Sequence, residues 1–335
     1  MSAGQNSLDV AERLRAFFRA QPGGTVPILS NLRRLGVGRS RENWAFEATW
    51  QQDEVDRPRD LILRRDPLGG LVETDRSTEF SVLRALEPSS IRSPQALWLD
   101  PDGMWFGCPS IIMLREPGAC RNDVLNGSRS LKSRLELARR FCDLMAEVHS
   151  VRWQDLALET VLIDPGRNAS LAQLGRWEST YLRDQVDSYP ELELAIAWLR
   201  TNAPISPTTR LVHGDFKPGN ILLCGQRITA LLDWELAHLG DPHEDLGWVT
   251  QPLRKREHMI DGHWEREDLI SRYECAVDFE INMGNVNWWN VFSTFKTAVM
   301  QVTGLRSFLD KRSDRLYWPN QKVLKSLLLS IDSMA

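Results

Sequence analysis

Residues 211–248 read LVHGDFKPGNILLCGQRITALLDWELAHLGDPHEDLGW, and their pattern decides how the chain is interpreted. His213-Gly214-Asp215 is followed, at the fifth position after the Asp, by Asn220. The apolar run Ile221-Leu222-Leu223 leads into a turn at Cys224-Gly225, and a second apolar run over 228–232 ends at Asp233. Two such runs around a short turn predict a hairpin. That hairpin returns Asp233 to the loop carrying Asp215 and Asn220. Two carboxylates and an amide oxygen then converge, all hard donors suited to Mg²⁺. A lone Asp in such a stretch is usually a turn former or a helix cap. Five polar positions in register with two apolar strands call for a site instead.

Outward from this stretch, the chain divides in composition. Residues 8–19 predict an amphipathic helix with Leu8, Ala11, Leu14 and Phe17/Phe18 on one face, ended by Pro22-Gly23-Gly24. Short, partly alternating runs at 32–37, 44–50, 60–65, 96–98 and 110–114 predict an antiparallel sheet, with one helix over 78–86. After Pro117-Gly118 the pattern becomes helical, with a long buried helix over 131–148 and others at 192–199, 266–280, 288–308 and 320–333. The expectation is an α+β molecule of two parts, 1–116 and 117–335, hinged at Pro117-Gly118.

Net charge −4 and a pI of about 5.9 argue against a general nucleic-acid binder, which carries a basic domain. No stretch approaches the ~18 apolar residues of a membrane span. The longest uncharged run, 281–295, holds four Asn. The amino terminus, with Asp9 and Glu12, lacks the apolar core of a signal peptide. Five scattered cysteines without a CxxC pair fit reduced thiols in a cytoplasmic protein.

An Asp, an Asn five residues on, and a second Asp after a hairpin match what phosphoryl transfer requires. One carboxylate takes the proton of the attacking hydroxyl, and the other two groups hold the metal that bridges the phosphates. HGDFKPGNIL followed by LLDWELAHLGDPHEDLGW resembles the aminoglycoside phosphotransferase and choline kinase-like family. The likeness is greatest to the branch that includes phosphotransferase domains fused to acyl-CoA dehydrogenases. The resemblance implies a bilobal protein-kinase-like fold and an ATP- and Mg²⁺-dependent transfer to a hydroxyl of a small molecule. It makes Asp215 the catalytic base, Asn220 and Asp233 the metal ligands, His213 a loop-shaping residue, and Asp245 a buried brace for the catalytic loop.

The same resemblance assigns the nucleotide clamp. Gly38 and Ser40, in LGVGRSREN, would approach the phosphates. Leu61-Ile62-Leu63-Arg64 takes the place of the kinase strand that ends in a phosphate-binding Lys, with Arg substituted. Alternation puts Ile62, over the adenine, and Arg64, at the phosphates, on one face. Glu79 would steer Arg64. Met113 and Leu114, in the strand 110–114, would meet the adenine through the Met side chain and backbone groups.

The acceptor is expected on the second lobe, near Trp248, Trp288 and Trp289, with the basic trio Arg254-Lys255-Arg256 close by in sequence. The mixed charge of 251–280 does not suit a polycationic antibiotic, whereas aromatic and basic groups suit an anionic acceptor such as a coenzyme A ester. Two other readings stand beside this one. A nucleotide-binding pseudokinase is favoured by Arg64 in place of Lys. A metal-dependent hydrolase would use His213, His238 and His243 with the neighbouring carboxylates.

Overall fold

The computed structural model describes residues 3–35, 42–50, 58–66, 71–72 and 75–334. Gly38 and Ser40 lie outside the described residues. Helix α1 (Ala3–Ala20) precedes strands β1 (Ile28–Leu35), β2 (Glu42–Thr49) and β3 (Arg59–Arg65). Helix α2 (Arg76–Leu86), β4 (Ala96–Asp100) and β5 (Ser110–Leu114) complete the first lobe. The five strands form an antiparallel sheet in the order β1-β2-β3-β5-β4.

Strand alternation sorts the two faces of this sheet. Leu61 and Leu63 of β3 pack with Trp44, Phe46 and Ile112 under α1. Ile62 and Arg64 take the other face, where Ile62 stands opposite Met113 in register. The α1 stripe begins at Val10, not at Leu8. Val10, Leu14, Phe17 and Phe18 are buried, whereas Leu8 is 69% exposed. Spacings of four, three and one residues from Val10 keep that stripe on one helical face.

The second lobe is mainly helical. It contains α3 (Leu131–Ser150), α4 (Ala169–Asp184), α5 (Pro190–Thr201), β6 (Arg210–Val212), the hairpin β7 (Ile221–Cys224) and β8 (Arg227–Leu231), and β9 (His238–Gly240). Helices α6 (His243–Thr250), α7 (Lys255–His258), α8 (Arg266–Glu274), α9 (Met283–Leu309) and α10 (Gln321–Asp332) follow. Strands β6 and β9 pair, and the loop 213–220 leaves the end of β6. Helix α9 is apolar on most of its circumference and runs through the core against α4, α5, α6 and α10. The helix expected over 266–280 stops at Glu274. Beyond it, Asp278 pairs with Arg210 at 2.7 Å, and the Arg210 guanidinium lies 5.3 Å from the Phe279 ring centre.

At the junction of the lobes, Ala119 and Leu223 exchange backbone hydrogen bonds of 3.0 and 3.1 Å. Gly118 has φ +132°, and a Cβ there would stand 2.7 Å from Leu223 O, so a side chain is excluded. The Thr229 hydroxyl donates to Pro117 O at 2.6 Å.

Phe17 meets Phe18, Trp105 and Phe106 with ring centres 5.2–6.2 Å apart. Phe17→Ala is therefore expected to lower stability by about 3–5 kcal/mol in urea unfolding. Leu8→Ala should stay within about 0.5 kcal/mol.

Candidate active site

The loop 213–220 is anchored by a carboxylate. Asp245, in the first turn of α6 and wholly buried, accepts the backbone N–H of His213 at 2.8 Å and of Gly214 at 2.9 Å. His149 Nε2, from α3, faces the same carboxylate at 3.1 Å, and Tyr273 of α8 bonds the other ring nitrogen. Burial alone pushes the Asp245 carboxyl up. The His149 hydrogen bond and charge, with the His213 contacts, overcome this and hold it at about 2, below its ordinary 3.8. His213 Nε2 donates to Leu232 O at 2.9 Å, and its Nδ1 accepts the Asp215 N–H at 3.2 Å. The His213 ring thus ties the loop to the residue before Asp233.

Asn220 closes the loop. Its Nδ2 donates to Asp215 O at 2.9 Å and to Asp215 Oδ2 at 3.0 Å, and its own C=O accepts from Leu232 N–H at 2.8 Å. Lys217, which the sequence reading did not single out, is ion-paired with Asp215 Oδ2. Asp233 begins the next turn at φ +72°, a left-handed conformation that Asp tolerates better than most residues.

From the sheet, Arg64 bridges the two lobes. Its Nη1 bonds Glu79 Oε1 at 3.0 Å, its Nη2 bonds Asp233 Oδ1 at 2.6 Å, and Glu235 Oε2 lies 3.6 Å away. Glu79 also holds buried Arg76, which in turn meets Asp66. Arg76 and Glu235 were not anticipated. Glu79 three residues after Arg76 on α2 is a sequence signal that Arg76 has an acidic partner.

The donor set fits a hard divalent cation. Both Asn220 Nδ2 hydrogens go to Asp215, which turns the amide oxygen away from that residue. Asp233 offers a carboxylate that Arg64 already marks as a place for charge. The three histidines do not form a metal cluster. His213 goes to Leu232, His238 to Glu244 at 3.0 Å, and His243 to Asp241 at 2.6 Å. Among the described residues, no group of three or more His, Cys, Asp or Glu is arranged to hold a metal.

Two expectations change with the geometry. The Leu114 N–H is used by Gln95 O at 2.9 Å and the Arg115 N–H by Asp60 O at 2.9 Å, so neither donor is open to an adenine edge. Met113 is 6% exposed, at the inner face beside Ile62. Trp248, Trp288 and Trp289 are 1%, 2% and 0% exposed. Trp288 stacks on Phe292 at 5.6 Å and donates to Leu199 O, while the Arg254 guanidinium lies over Trp248 at 4.1 Å. These indoles build the core beneath the loop and are out of reach of an acceptor arriving from solvent.

Fold, loop and hairpin together are those of a kinase-like phosphotransferase. The chain belongs to the phosphotransferase enzyme family APH, whose model matches residues 31–274. It is 29% identical over 287 residues to acyl-CoA dehydrogenase family member 10 of Mus musculus, covering 80% of this chain and 26% of that protein. It is 28% identical over 254 residues to family member 11 of Homo sapiens, covering 71% and 32%. The chain thus matches about a third or less of the length of these relatives. Among solved structures, it resembles a provisionally assigned aminoglycoside phosphotransferase from Ralstonia eutropha, with TM-score 0.67, 22% identity, and 96% and 95% of the two chains covered. A streptomycin–ATP complex of APH(2″)-IIa matches at TM-score 0.56 and 16% identity, over 90% and 96%. At these identities the likeness is one of fold. No helix among the described residues is long and apolar enough to cross a membrane.

The Asp245 brace carries a pH signature. Its carboxyl is depressed on folding, so its contribution is full above the unfolded value near 3.8 and fades as pH falls toward 2. Asp245→Asn is expected to cost about 2 kcal/mol or more near neutrality. In urea titrations, the gap between wild type and this variant should narrow from about pH 5 downward.

Proposed function

We propose that the protein is a small-molecule kinase that moves the γ-phosphate of ATP to a hydroxyl group with the help of Mg²⁺. The observation that carries this reading is the joining of the Asp215–Asn220 loop to Asp233 and, through Arg64 and Glu79, to the sheet. Residues 1–116 would form the nucleotide-clamping lobe and 117–335 the catalytic lobe, divided at Pro117-Gly118.

Each residue takes a role that its contacts support. Asp215 Oδ2 is occupied by Lys217 and Asn220, which leaves Oδ1 to accept the proton of the acceptor hydroxyl. The acceptor oxygen bonds to the γ-phosphorus as the β–γ bridging P–O bond breaks and ADP leaves. Lys217 adds positive charge where phosphoryl oxygens gather negative charge. Arg64, released from Asp233 Oδ1, can fork onto phosphate oxygens while Glu79 keeps hold of Nη1. Asn220 Oδ1 and Asp233 are the groups that would hold Mg²⁺, which supplies charge neutralisation at the phosphates. Ile62 and Met113 line the adenine side. The Glu116 N–H, beyond the Leu114 and Arg115 donors that the sheet uses, would be the donor to an adenine edge. Gly38 and Ser40 would cover the phosphates.

The acceptor is proposed to be a small hydroxyl compound with an anionic portion, of the hydroxyacyl-coenzyme A kind. The relatives named as acyl-CoA dehydrogenases support this choice over an aminoglycoside. One observation favours a second reading, a nucleotide-binding pseudokinase: the phosphate-side cation is the Arg64 guanidinium, and it is engaged by Asp233.

An ADP-release screen with hydroxyacyl-coenzyme A esters, amino alcohols, sugars and aminoglycosides tests both readings. With the accepted substrate, Asp215→Ala should lower turnover by about 10²–10⁴-fold and leave Mg·ATP binding in place. Asp233→Ala should remove the Mg²⁺ dependence of nucleotide binding. Unchanged turnover in Asp215→Ala would sink the assigned base, and nucleotide binding without transfer to any acceptor would favour the pseudokinase.

A further inference from the structure

A second buried charge network lies behind the catalytic loop, and the roles proposed above leave it unused. Lys296 projects from α9 into the core with 1% of its surface exposed. Its Nζ donates to Gly214 O at 2.7 Å and meets Glu244 Oε1 at 3.2 Å. Trp177 and Trp248 flank the ammonium, with ring centres 5.2 and 5.0 Å away, so the third N–H direction faces aromatic surface. Glu244, also 1% exposed, turns its other oxygen to His238 Nε2 at 3.0 Å. His238 Nδ1 then faces Leu236 O at 2.9 Å. Gly214 backs onto that same residue: a Cβ there would stand 2.8 Å from Leu236 O.

The contacts close a ring through Gly214, Lys296, Glu244, His238 and Leu236. One member precedes Asp215, and another ends the turn that Asp233 begins. Gly214 sits at φ +78° and has the widest conformational choice of any residue type. Here both of its flanking peptides are held. Asp245 takes its N–H, Lys296 takes its C=O, and His213 Nδ1 takes the following N–H, that of Asp215. Fixing both peptide planes fixes the direction in which the Asp215 side chain leaves the backbone. Burying an ammonium and a carboxylate is unfavourable unless each is paired and hydrogen-bonded, so the two charges hold each other in place.

We infer that Lys296 is a positioning residue. With Glu244 and His238, it holds the Gly214 peptide and the turn after Asp233 at a fixed spacing, so that Asp215 faces the phosphoryl group being transferred. This rests on the kinase reading above, and the test separates the two.

The test uses the full chain as wild type, Lys296→Arg, Lys296→Met, the double variant Lys296→Met/Glu244→Gln, and His238→Gln. Amide hydrogen exchange without ligand is read over 213–216 and 234–238, with 59–65 in the sheet as the internal reference. Steady-state turnover with Mg·ATP and the screened acceptor is the second readout. Lys296→Met should speed exchange in both segments and leave the reference unchanged. Its kcat should fall by about 10–100-fold, the scale of a ~1 Å misplacement, with KM for ATP within about twofold. Lys296→Arg, which keeps charge and reach, should recover most of the loss. If Lys296→Met does not fold, the double variant removes both charges together, and His238→Gln, which keeps the Lys–Glu pair, should loosen 234–238 alone. Unaltered exchange in both segments, or equal losses in Lys296→Arg and Lys296→Met, would overturn the positioning role. A wild type that phosphorylates no acceptor would defeat the kinase reading, while the exchange data would still decide the role of Lys296.

Discussion

The backbone of residues 213–215 has to leave strand β6, turn sharply at a left-handed glycine and bring the Asp215 carboxylate to Lys217 and Asn220. A loop of that shape cannot satisfy its own peptide groups, and buried unpaired N–H groups are costly. Asp245 resolves this by accepting two successive backbone N–H bonds from the first turn of α6. Because Asp245 is wholly buried, its charge must itself be stabilised, and His149 from α3 does so, with Tyr273 from α8 behind it. One carboxylate therefore couples three helices to the loop. The position of Asp215 is a property of the whole second lobe and not of the loop alone.

The charged groups around the loop divide into two kinds. Arg64, Arg76, Glu79 and Glu235 form a compact mixed-sign cluster between sheet and hairpin. In the proposed role, exchanging a carboxylate contact of Arg64 for a phosphate contact would require no new desolvation of the guanidinium. Lys296 and Glu244, buried beneath the loop and linked to the half-buried His238, form the other kind. Aromatic packing from Trp177, Trp248 and the Trp288–Trp289–Phe292 stack excludes water there, which strengthens each electrostatic contact. Trp177 and Trp248 thus serve as part of the wall around the buried ammonium.

Much of the fold was legible. Alternation in 59–65 separated Leu61 and Leu63 from Ile62 and Arg64, and the 221–231 hairpin followed from two apolar runs and one glycine turn. Helices α4 and α6 were not anticipated, and α8 was drawn too long. Residues 243–250 are buried on every side, so they carry no amphipathic contrast for a periodicity to reveal. Trp248, Trp288 and Trp289 qualify as acceptor-site candidates on sequence because bulk and aromaticity are visible there, whereas their depth is not.

For the loop and hairpin, local order was enough. The spacing of Asp215, Asn220 and Asp233 lies within one supersecondary unit, so sequence order marks the three as neighbours, while distant buried partners fix how the loop is oriented. The partners of that unit lie far along the chain: Arg64 is 169 residues from Asp233, and Lys296 is 82 from Gly214. Nothing local distinguishes Lys296 on an apolar helix from a lysine that reaches for solvent. Only the packing of α9 against α6 closes off that route, and once water is excluded the ammonium must find Gly214 O and Glu244. Local order therefore set which side chains share the loop and hairpin, and burial set which distant charges hold them still.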